Sequence, residues 1–405
     1  MGASEQDPHV HPAQAIPWSR SEDCPGGHCP PPPSCMRISR LTFEQFRSFR
    51  TLAVECSEGL VHLFLGPNGA GKTNILEGVS VLSLLRSFLI SQEADLIHWG
   101  EEYYRLRAEM QTDDGTLGSV EVVSQLQPRK RKVCFLNDVQ VPLVSAIGRL
   151  PTVAFLPQDL ELSCGAPAVR RRFFDELLCQ VSPAYAQTLT RYQKILKQRN
   201  TLLRRIGEGV SGEKDLAQWD LLLSEQGAAL LVPRLELAEI FARALCEEVT
   251  NLGESWQDVR LVYERRGSAR EQSEIASEFR ELLMHYRERD IILQSTSVGP
   301  HRHDWHVEVE GRPLSSFASR GQQRTVVIAL LFLKVSYLEL KRCEKPVILL
   351  DDVFSELDDA HQQALLKSFD AYQVFITSTH SPAALHGAHV LTVGEGKVRG
   401  KVTSI

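Results

Sequence analysis

Between an apolar stretch and a predicted helix, the chain reads Gly66-Pro67-Asn68-Gly69-Ala70-Gly71-Lys72-Thr73. The residues from Leu60 to Leu65 predict a strand, and the helix is expected to run from Asn74 to Phe88. Glycines in such a loop let backbone N–H groups surround a β-phosphate, the lysine neutralises the β- and γ-phosphates, and the threonine hydroxyl can bind Mg²⁺. A chance glycine-rich turn would lack one of these flanks. The stretch therefore predicts a nucleoside triphosphate site.

A second apolar stretch supplies the acidic groups that such a site needs. Residues Val347 to Leu350 predict a buried strand, and Asp351 and Asp352 follow it directly. We assign Asp351 to the shell of the metal and Asp352 to orienting the attacking water, because carboxylates take both roles in phosphoryl transfer. Paired aspartates after a strand can also cap the next helix, so this assignment depends on the rest of the pattern.

A further helix start lies upstream of these aspartates. The chain reads Ala318-Ser319-Arg320-Gly321-Gln322-Gln323-Arg324 before a very apolar helical stretch that ends near Leu340. It resembles the signature motif of ABC-type ATPases, which implies that Ser319, Gly321 and Gln322 bind nucleotide phosphates at a helix N-terminus. Ser-Xaa-Gly is also an ordinary N-cap. The order of the motifs along the chain favours the signature interpretation.

Two shorter stretches fit the same class of ATPase. The run Ser355-Glu356-Leu357-Asp358 resembles the D-loop, which contacts a second subunit, and Thr377-Ser378-Thr379-His380 ends an apolar strand where the class has a switch residue. A histidine at a strand end is also an ordinary surface residue, so both interpretations stay open. Gln158 is a candidate for the Q-loop. The predicted catalytic residues are Lys72, Asp352, Gln158 and His380.

The residues between the phosphate loop and the signature distinguish the branches of this class. No sustained heptad pattern and no CxxC zinc hook occurs there, unlike in the ATPases with long coiled coils. The interval contains the motifs Phe155-Leu156-Pro157-Gln158-Asp159-Leu160, Gly165-Ala166-Pro167, Arg170-Arg171-Arg172-Phe173-Phe174-Asp175, Leu196-Lys197-Gln198-Arg199-Asn200, Trp219-Asp220 and Gly299-Pro300-His301-Arg302. With these motifs the chain resembles the RecF family of bacterial DNA replication and repair ATPases, and the whole resemblance extends from about Met36 to the C-terminus.

The hydrophobic pattern and this resemblance together predict an α/β fold. We expect an ABC/SMC-type P-loop ATPase lobe built from both chain ends, residues 36–160 and 291–405, and an inserted, mainly helical lobe, residues 161–290, with Pro233 as a kink or break. The resemblance implies ATP and Mg²⁺ as cofactors, weak DNA-stimulated ATPase activity, and an ATP-dependent homodimer that holds each nucleotide between Lys72 of one chain and Ser319 of the other. It also implies RecO and RecR as partners, with action at single-strand gaps and stalled forks in recombinase loading and SOS induction.

Local clusters of cations are candidate DNA contacts, although the net charge is −6. Each cluster is also typical of a solvated surface. No base-reading motif with interleaved aromatic residues is visible, so we expect contacts to the backbone of single-stranded or gapped duplex DNA without sequence preference. The candidate contacts are Arg86, Lys130, Arg131, Arg170, Arg171, Lys194 and Lys197.

Composition adds limits but little specificity. A chain of 405 residues with 43% hydrophobic residues can bury a large core, and no apolar run approaches the length of a membrane span. Nine cysteines without a framework are typical of free, buried thiols in a reducing cytoplasm. Residues 1–35 are rich in Pro, His, Gly and Cys and predict a disordered tail or sequence upstream of the true start. The spacing of Cys24, His28, Cys29 and Cys35 fits no standard zinc site.

Two other functions compete with this interpretation. A transporter-energising ATPase of the ABC class would need a membrane partner and a shorter helical insertion, and would more typically have Glu at the position of Asp352. A DNA scaffold with a decayed ATP site would lack some of the polar phosphate contacts, all of which are present in the sequence. Comigration with membranes would favour the first alternative, and absence of ATP hydrolysis the second.

Overall fold

The structure, a computed structural model, describes residues 34–89, 92–355, 359–381, 385, 387–394 and 396–401. The possible zinc ligands Cys24, His28 and Cys29 lie outside these residues. No helix in the described part of the chain is long and apolar enough to span a membrane. The thiols of Cys56, Cys134, Cys164, Cys179, Cys246 and Cys343 are free; Cys56, Cys134 and Cys179 are buried as predicted, whereas Cys164 and Cys343 are exposed.

Strands and helices alternate at both ends of the described chain, and helices dominate its middle. The strands are β1 (Ser34–Phe46), β2 (Phe49–Glu55), β3 (Val61–Leu65), β4 (Tyr103–Thr112), β5 (Leu117–Gln125), β6 (Arg131–Leu136), β7 (Val139–Val141), β8 (Thr152–Phe155), β9 (Val259–Glu264), β10 (Asp304–Val309), β11 (Arg312–Pro313), β12 (Glu344–Lys345), β13 (Val347–Asp351), β14 (Val374–Ser378), β15 (His389–Gly394) and β16 (Lys397–Lys401). The helices are α1 (Lys72–Leu84), α2 (Leu143–Ala146), α3 (Glu161–Cys164), α4 (Pro167–Val181), α5 (Pro183–Gly207), α6 (Leu216–Asn251), α7 (Gln272–His285), α8 (Arg287–Leu293), α9 (Leu314–Phe317), α10 (Arg320–Arg342) and α11 (Asp359–Ser368).

The central sheet has the strand order β16-β15-β3-β14-β13-β8. All of its strands run parallel except β16, which is antiparallel to β15. Every residue of β13 and β14 is buried, as expected for a parallel sheet that is covered on both faces. Because β3 and β8 come from the first part of the chain and the other strands from the last part, both parts build this sheet.

The two faces of the central sheet bury alternate residues of the same strands. Phe64, Leu349 and Phe375 belong to the core that α1 shares with the antiparallel strands. Their neighbours Leu63, Leu350 and Ile376 belong to the core formed with α4, α6 and α10. The sheet is therefore the layer that joins the two cores.

A second sheet, in the order β12-β1-β4-β5-β6-β7 with β2 paired to β1, covers α1. Helix α1 lies so close to it that a Cβ on Gly78 would stand 2.4 Å from the ring of Phe43. Strand β1 begins at Ser34, which pairs with Glu344 of β12, so the ATPase lobe begins two residues before its predicted start at residue 36. Helix α1 also differs from its predicted bounds, because it begins within the phosphate loop and ends before Phe88.

The middle of the chain is helical as expected, with two differences. Pro233 lies inside α6 and does not end it. A proline in a helix interior costs about 3 kcal/mol, but the neighbouring Leu230 and Leu235 are buried, and their packing outweighs this local cost. The second difference is β9, which pairs antiparallel with β10 inside the stretch predicted as helix. Val259 and Leu261 are buried on either side of exposed Arg260, which is the alternation of a strand.

Several motifs that carry the family resemblance form buried ion clusters within these helices. The guanidinium of Arg199, fully buried, donates to Asp220 at 2.8 Å and to Asp290 at 2.7 Å. Arg234 donates to Asp175 at 2.8 Å and to the carbonyl of Pro300 at 2.8 Å. Buried charges need such partners, because an unpaired one is strongly destabilising. These residues fix how the helices and the segment after Gly299 are joined.

Candidate nucleotide-binding site

Four of the segments predicted to form the site leave the central sheet at the same edge. Leu65 pairs with Ser378, Thr377 with Asp351, and Leu350 with Phe155. Because these strands are parallel, the loops that follow them lie side by side. Those loops carry the phosphate loop, the switch candidate, the paired aspartates and the Q-loop candidate.

The phosphate loop, residues 66–73, has the backbone that its glycines allow. Gly69 and Gly71 have φ angles of 79° and 96°, in the left-handed region that favours glycine. A Cβ on Gly66 would stand only 2.3 Å from the carbonyl oxygen of Val393 in β15, so this position requires a residue without a side chain. The loop is therefore fixed against the sheet on one side and open toward Pro67 and Asn68, which are exposed.

Lys72 is the first residue of α1, and its side chain folds back over the loop. Its Nζ donates to the carbonyl oxygens of Gly66 at 2.7 Å and Pro67 at 3.0 Å. The ammonium group is thus held above the loop where it would meet phosphate oxygens. The first N–H groups of a helix have no partner within it and favour an anion, and here they belong to α1.

The carboxylate of Asp351 joins the phosphate loop to two strands. The hydroxyl of Thr73 donates to both of its oxygens, at 2.8 and 3.1 Å, and the hydroxyl of Thr377 donates to Oδ1 at 2.7 Å. The same Thr377 hydroxyl accepts from the backbone N–H of Asp352 at 3.0 Å. Asp352 has a φ of 50°, so the chain turns sharply at this residue. Thr377 thereby positions both aspartates.

The sequence predicted Thr377 only as the start of the switch motif, and this positioning contact was missed. The available signal was a hydroxyl residue that follows three apolar residues in a fully buried strand. Buried polar groups need a partner, and the partner is the carboxylate at the end of the adjacent strand.

The residues around Asp351 fit a magnesium ion. Burial raises the pKa of its carboxyl, and the hydroxyls of Thr377 and Thr73 partly oppose this shift. A divalent cation would stabilise the ionised form in a position where only 7% of the residue is exposed. The threonine hydroxyl and the aspartate carboxylate are oxygen ligands of the kind that Mg²⁺ uses beside phosphates. Thr73 and Asp351 are thus the residues that could hold the metal.

The other catalytic candidates are less enclosed. Gln158 is half-buried in the 3₁₀ helix Pro157–Leu160 that follows β8. His380 is exposed, and its Nδ1 lies 2.8 Å from the hydroxyl of Thr379. Both side chains belong to the edge that carries the phosphate loop. Of the predicted D-loop, Glu356, Leu357 and Asp358 lie outside the described residues.

The signature segment forms an exposed helix start. The hydroxyl of Ser319 accepts from the N–H of Gln322 at 3.3 Å, and the Gln322 side chain accepts from the N–H of Ser319 at 3.0 Å. This reciprocal capping box opens α10. Ser319 and Gly321 are exposed, and a Cβ on Gly321 would be 3.9 Å from its nearest neighbour, the Ser319 hydroxyl. The surface is open to a second molecule.

The DNA-contact candidates fall into two groups. Arg170 is buried and forms a bidentate pair with Asp304, at 2.8 and 2.6 Å, so its guanidinium is engaged inside the fold. Arg171 donates to the carbonyl of His303 at 2.9 Å, and Arg86 lies 3.5 Å from Glu176. These cations have structural partners.

The second group faces solvent. Lys130 and Arg131 are exposed at the turn between β5 and β6, and Lys194 and Lys197 are exposed on α5. The buried residues of α5, including Leu189, Tyr192 and Leu203, occupy its opposite face. Of the seven candidates, these four are displayed to solvent, as a phosphate-binding surface requires.

Fold and site together define an ABC/SMC-type P-loop ATPase. The chain matches the model of the RecF/RecN/SMC N-terminal domain over residues 37–400. A protein of Heliobacterium modesticaldum named DNA replication and repair protein RecF is 35% identical over 376 residues, which cover 90% of this chain and 99% of that protein. A protein of Moorella thermoacetica with the same name is 35% identical over 345 residues, covering 85% of this chain and 90% of that protein. The chain belongs to the RecF family.

A solved structure confirms the predicted α/β fold. The recombination mediator protein RecF with ATP, from the RecFOR pathway, matches with a TM-score of 0.84 at 30% identity and covers 93% of this chain and 100% of that chain. Family membership decides against the transporter-energising ATPase that the sequence alone left open.

Proposed function

We propose that the protein binds ATP with Mg²⁺ at the edge of the central sheet and hydrolyses it weakly, with stimulation by DNA. Lys72 would exchange its bonds to the loop carbonyls for phosphate oxygens, and the N–H groups of the loop and α1 would bind the β-phosphate. Thr73 and Asp351 would hold the metal, which supplies charge neutralisation at the β- and γ-phosphates. The solved RecF structure with ATP supports this proposal.

Asp352 is proposed to orient the attacking water. Its backbone is held by Thr377 beside the metal-binding carboxylate, and it is only half-buried. Gln158 and His380 extend from the two neighbouring strand ends and are proposed to contact the γ-phosphate side of the site. His380 is exposed and Gln158 is half-buried, so a second chain could contact both side chains.

We further propose that two copies associate head to tail around ATP. The capped, exposed start of α10 presents the Ser319 hydroxyl and the N–H groups of its first turn, which form an anion-binding surface. The γ-phosphate would bridge the Lys72 of one copy and the Ser319 of the other. Hydrolysis would remove the bridge and open the dimer.

DNA is the proposed ligand of the closed dimer. The relatives are named as DNA replication and repair proteins, and the solved structure belongs to the RecFOR pathway. We propose contacts through Lys130, Arg131, Lys194 and Lys197, with action at single-strand gaps and stalled forks beside RecO and RecR. Recombinase loading and SOS induction would follow from that action.

The observation that carries this proposal is the bond between Thr73 and Asp351 beside a complete phosphate loop, with Ser319 exposed on a separate helix. It can be tested by mixing the Lys72→Ala and Ser319→Arg variants. Each variant alone should lose ATPase activity, and the mixture should recover part of it, because one composite site in each heterodimer is intact. Lys341→Ala, at the far end of α10, is the matched control and should retain full activity.

Absence of recovery in a mixture that is shown to contain heterodimers would reject the composite site. A wild-type protein that binds ATP but does not hydrolyse it, with or without DNA, would instead support the scaffold alternative.

A further inference from the structure

One aromatic side chain stands almost entirely in solvent. Trp99 is 94% exposed, whereas Trp305 is 1% exposed and fully enclosed in the core. Leaving an indole exposed forgoes one of the largest burial energies available to any side chain. A fully exposed tryptophan therefore suggests a partner that covers its ring.

The turn that carries Trp99 is held firmly. The N–H of His98 donates to the carbonyl of Gln45 at 2.8 Å, and His98 Nδ1 lies 2.7 Å from the carbonyl of Arg47. Glu101 closes the turn by donating to the carbonyl of His98 at 3.0 Å, and Gly100 supplies the left-handed φ of 87° that the turn requires. These hydrogen bonds hold the backbone on both sides of Trp99, so the indole extends from an ordered turn.

The turn lies beside the basic hairpin, which we define as residues Arg129, Lys130 and Arg131. Tyr103 at the start of β4 pairs with Gln125 at the end of β5, and Gln125 pairs with Arg131 at the start of β6. The N–H of Leu126 donates to the carbonyl of Glu102 at 3.0 Å, which joins the two loops directly. All three residues of the basic hairpin are exposed.

We propose that Trp99 is a stacking platform for an unpaired DNA base, with the basic hairpin binding the adjacent phosphates. Single-stranded nucleic acid is bound by this combination of an aromatic face and cations along the backbone. Glu101 and Glu102, which follow the tryptophan, disfavour phosphates on their own side, so the strand runs with its backbone over the hairpin and its base over the indole. This inference rests on the proposed function and assigns the single-stranded part of the DNA to this edge.

Binding of a fluorescently labelled thymine oligonucleotide to the full-length protein tests the proposal. Trp99→Ala should weaken binding about tenfold or more, and Trp99→Phe should recover part of the loss, because stacking depends on an aromatic face. Leu117→Ala is the matched control: this side chain is 72% exposed at the opposite end of β4 and β5 from Trp99, and its loss should change nothing. Equal affinities of Trp99→Ala and the parent would overturn the proposal.

Two other ligands separate stacking from charge. An abasic strand of the same length should bind the parent and Trp99→Ala equally, and so should a blunt duplex, whose bases are already stacked. Lys130→Ala should lower the dependence of log affinity on log salt by about 0.7, whereas Trp99→Ala should leave that slope unchanged. A loss of duplex or abasic binding in Trp99→Ala would overturn the stacking role.

The remaining outcomes distinguish a DNA base from other groups that could cover the indole ring. Quenching of the tryptophan emission by the oligonucleotide, in the parent but not in Trp99→Phe, would support base stacking. A fall in ATP affinity, or loss of the ATP-dependent dimer in Trp99→Ala, would assign the ring to the nucleotide or to the second copy and overturn the proposal. If the parent binds no DNA at all, the proposed function fails as well.

Discussion

The hydroxyl of Thr73 and the carboxylate of Asp351 are hydrogen-bonded across 278 positions of the chain. Thr73 lies in the first turn of α1, which follows β3, and Asp351 lies at the end of β13. Strand β14 separates β3 from β13 in the sheet. This bond can form only when the phosphate loop and the acidic strand are both in their folded positions. It also makes the proposed metal-binding role of each residue dependent on the other.

The paired aspartates should have opposite effects on the dimer. Asp352→Asn keeps the shape of the side chain and removes the charge that we propose orients water, so ATP should bind and the closed dimer should persist. Asp351→Asn removes a metal ligand, so closure should weaken. Sedimentation of each variant with ATP and Mg²⁺ measures the two effects. An Asp352→Asn protein that stays monomeric while the parent dimerises would contradict the role given to Asp352.

The phosphate loop should tolerate alanine at one glycine better than at another. At Gly66 a Cβ would meet the backbone of Val393 at 2.3 Å, so the loop must shift, and we expect a loss of about 1–3 kcal/mol in both stability and ATP binding. At Gly69 no atom lies within 4 Å of a Cβ, and only the positive φ opposes alanine, at about 1 kcal/mol. Thermal unfolding and ATP titration compare the two variants. A greater loss at Gly69 would show that the loop does not rest on β15.

Arg170 and Lys197 should separate stability from DNA binding. Arg170→Ala leaves the half-buried Asp304 without its partner and should cost at most about 3–5 kcal/mol of folding free energy. Lys197→Ala, on the exposed face of α5, should leave the melting temperature unchanged and weaken DNA binding uniformly across sequences. Urea unfolding and DNA titration of both variants test this division. An Arg170→Ala protein with full stability and weaker DNA binding would contradict this division and support a DNA contact by Arg170.

Stability should depend on pH through one buried carboxyl of α6. Burial, and to a lesser extent the neighbouring Glu247, raises the pKa of Glu248 from 4.5 to about 7. Its protonated form is favoured in the folded state, so its contribution is full below pH 4.5 and is lost as the pH rises toward 7. Glu248→Gln should therefore be more stable than the parent at pH 8, by at most ~3 kcal/mol, and the difference should shrink by at least half at pH 5.

Urea unfolding at the two pH values measures this difference. Glu247→Gln, at the half-buried neighbour, is the control and should show a smaller dependence on pH. A difference between Glu248→Gln and the parent that is the same at both pH values would contradict the assignment.

Short sequence motifs predicted much of this fold, because each of them occurs in one fixed structural context. A phosphate loop requires a strand before it and a helix after it, so its place followed from residues 60–88 alone. The contacts of Thr377 and Arg170 depend on which strands and segments become neighbours in the fold. A short motif does not contain that information. Arg170 stands in a run of three arginines that looks like a surface patch, yet its partner Asp304 lies 134 positions away. The strand β9 was missed because a short alternating segment lies between long helices.

The strand order of the central sheet also constrains how the protein is made. Strand β3, which leads into the phosphate loop, pairs with β14 and β15, and both of these come from residues beyond 373. While the ribosome is still adding the helical segment, β3 has a phosphate-binding loop but neither of its neighbours. An N-terminal fragment therefore exposes two unpaired strand edges, which are sites for aggregation, until the last part of the chain emerges. The ATP site can form only when synthesis is nearly complete, so a prematurely terminated chain cannot compete with the finished protein for nucleotide.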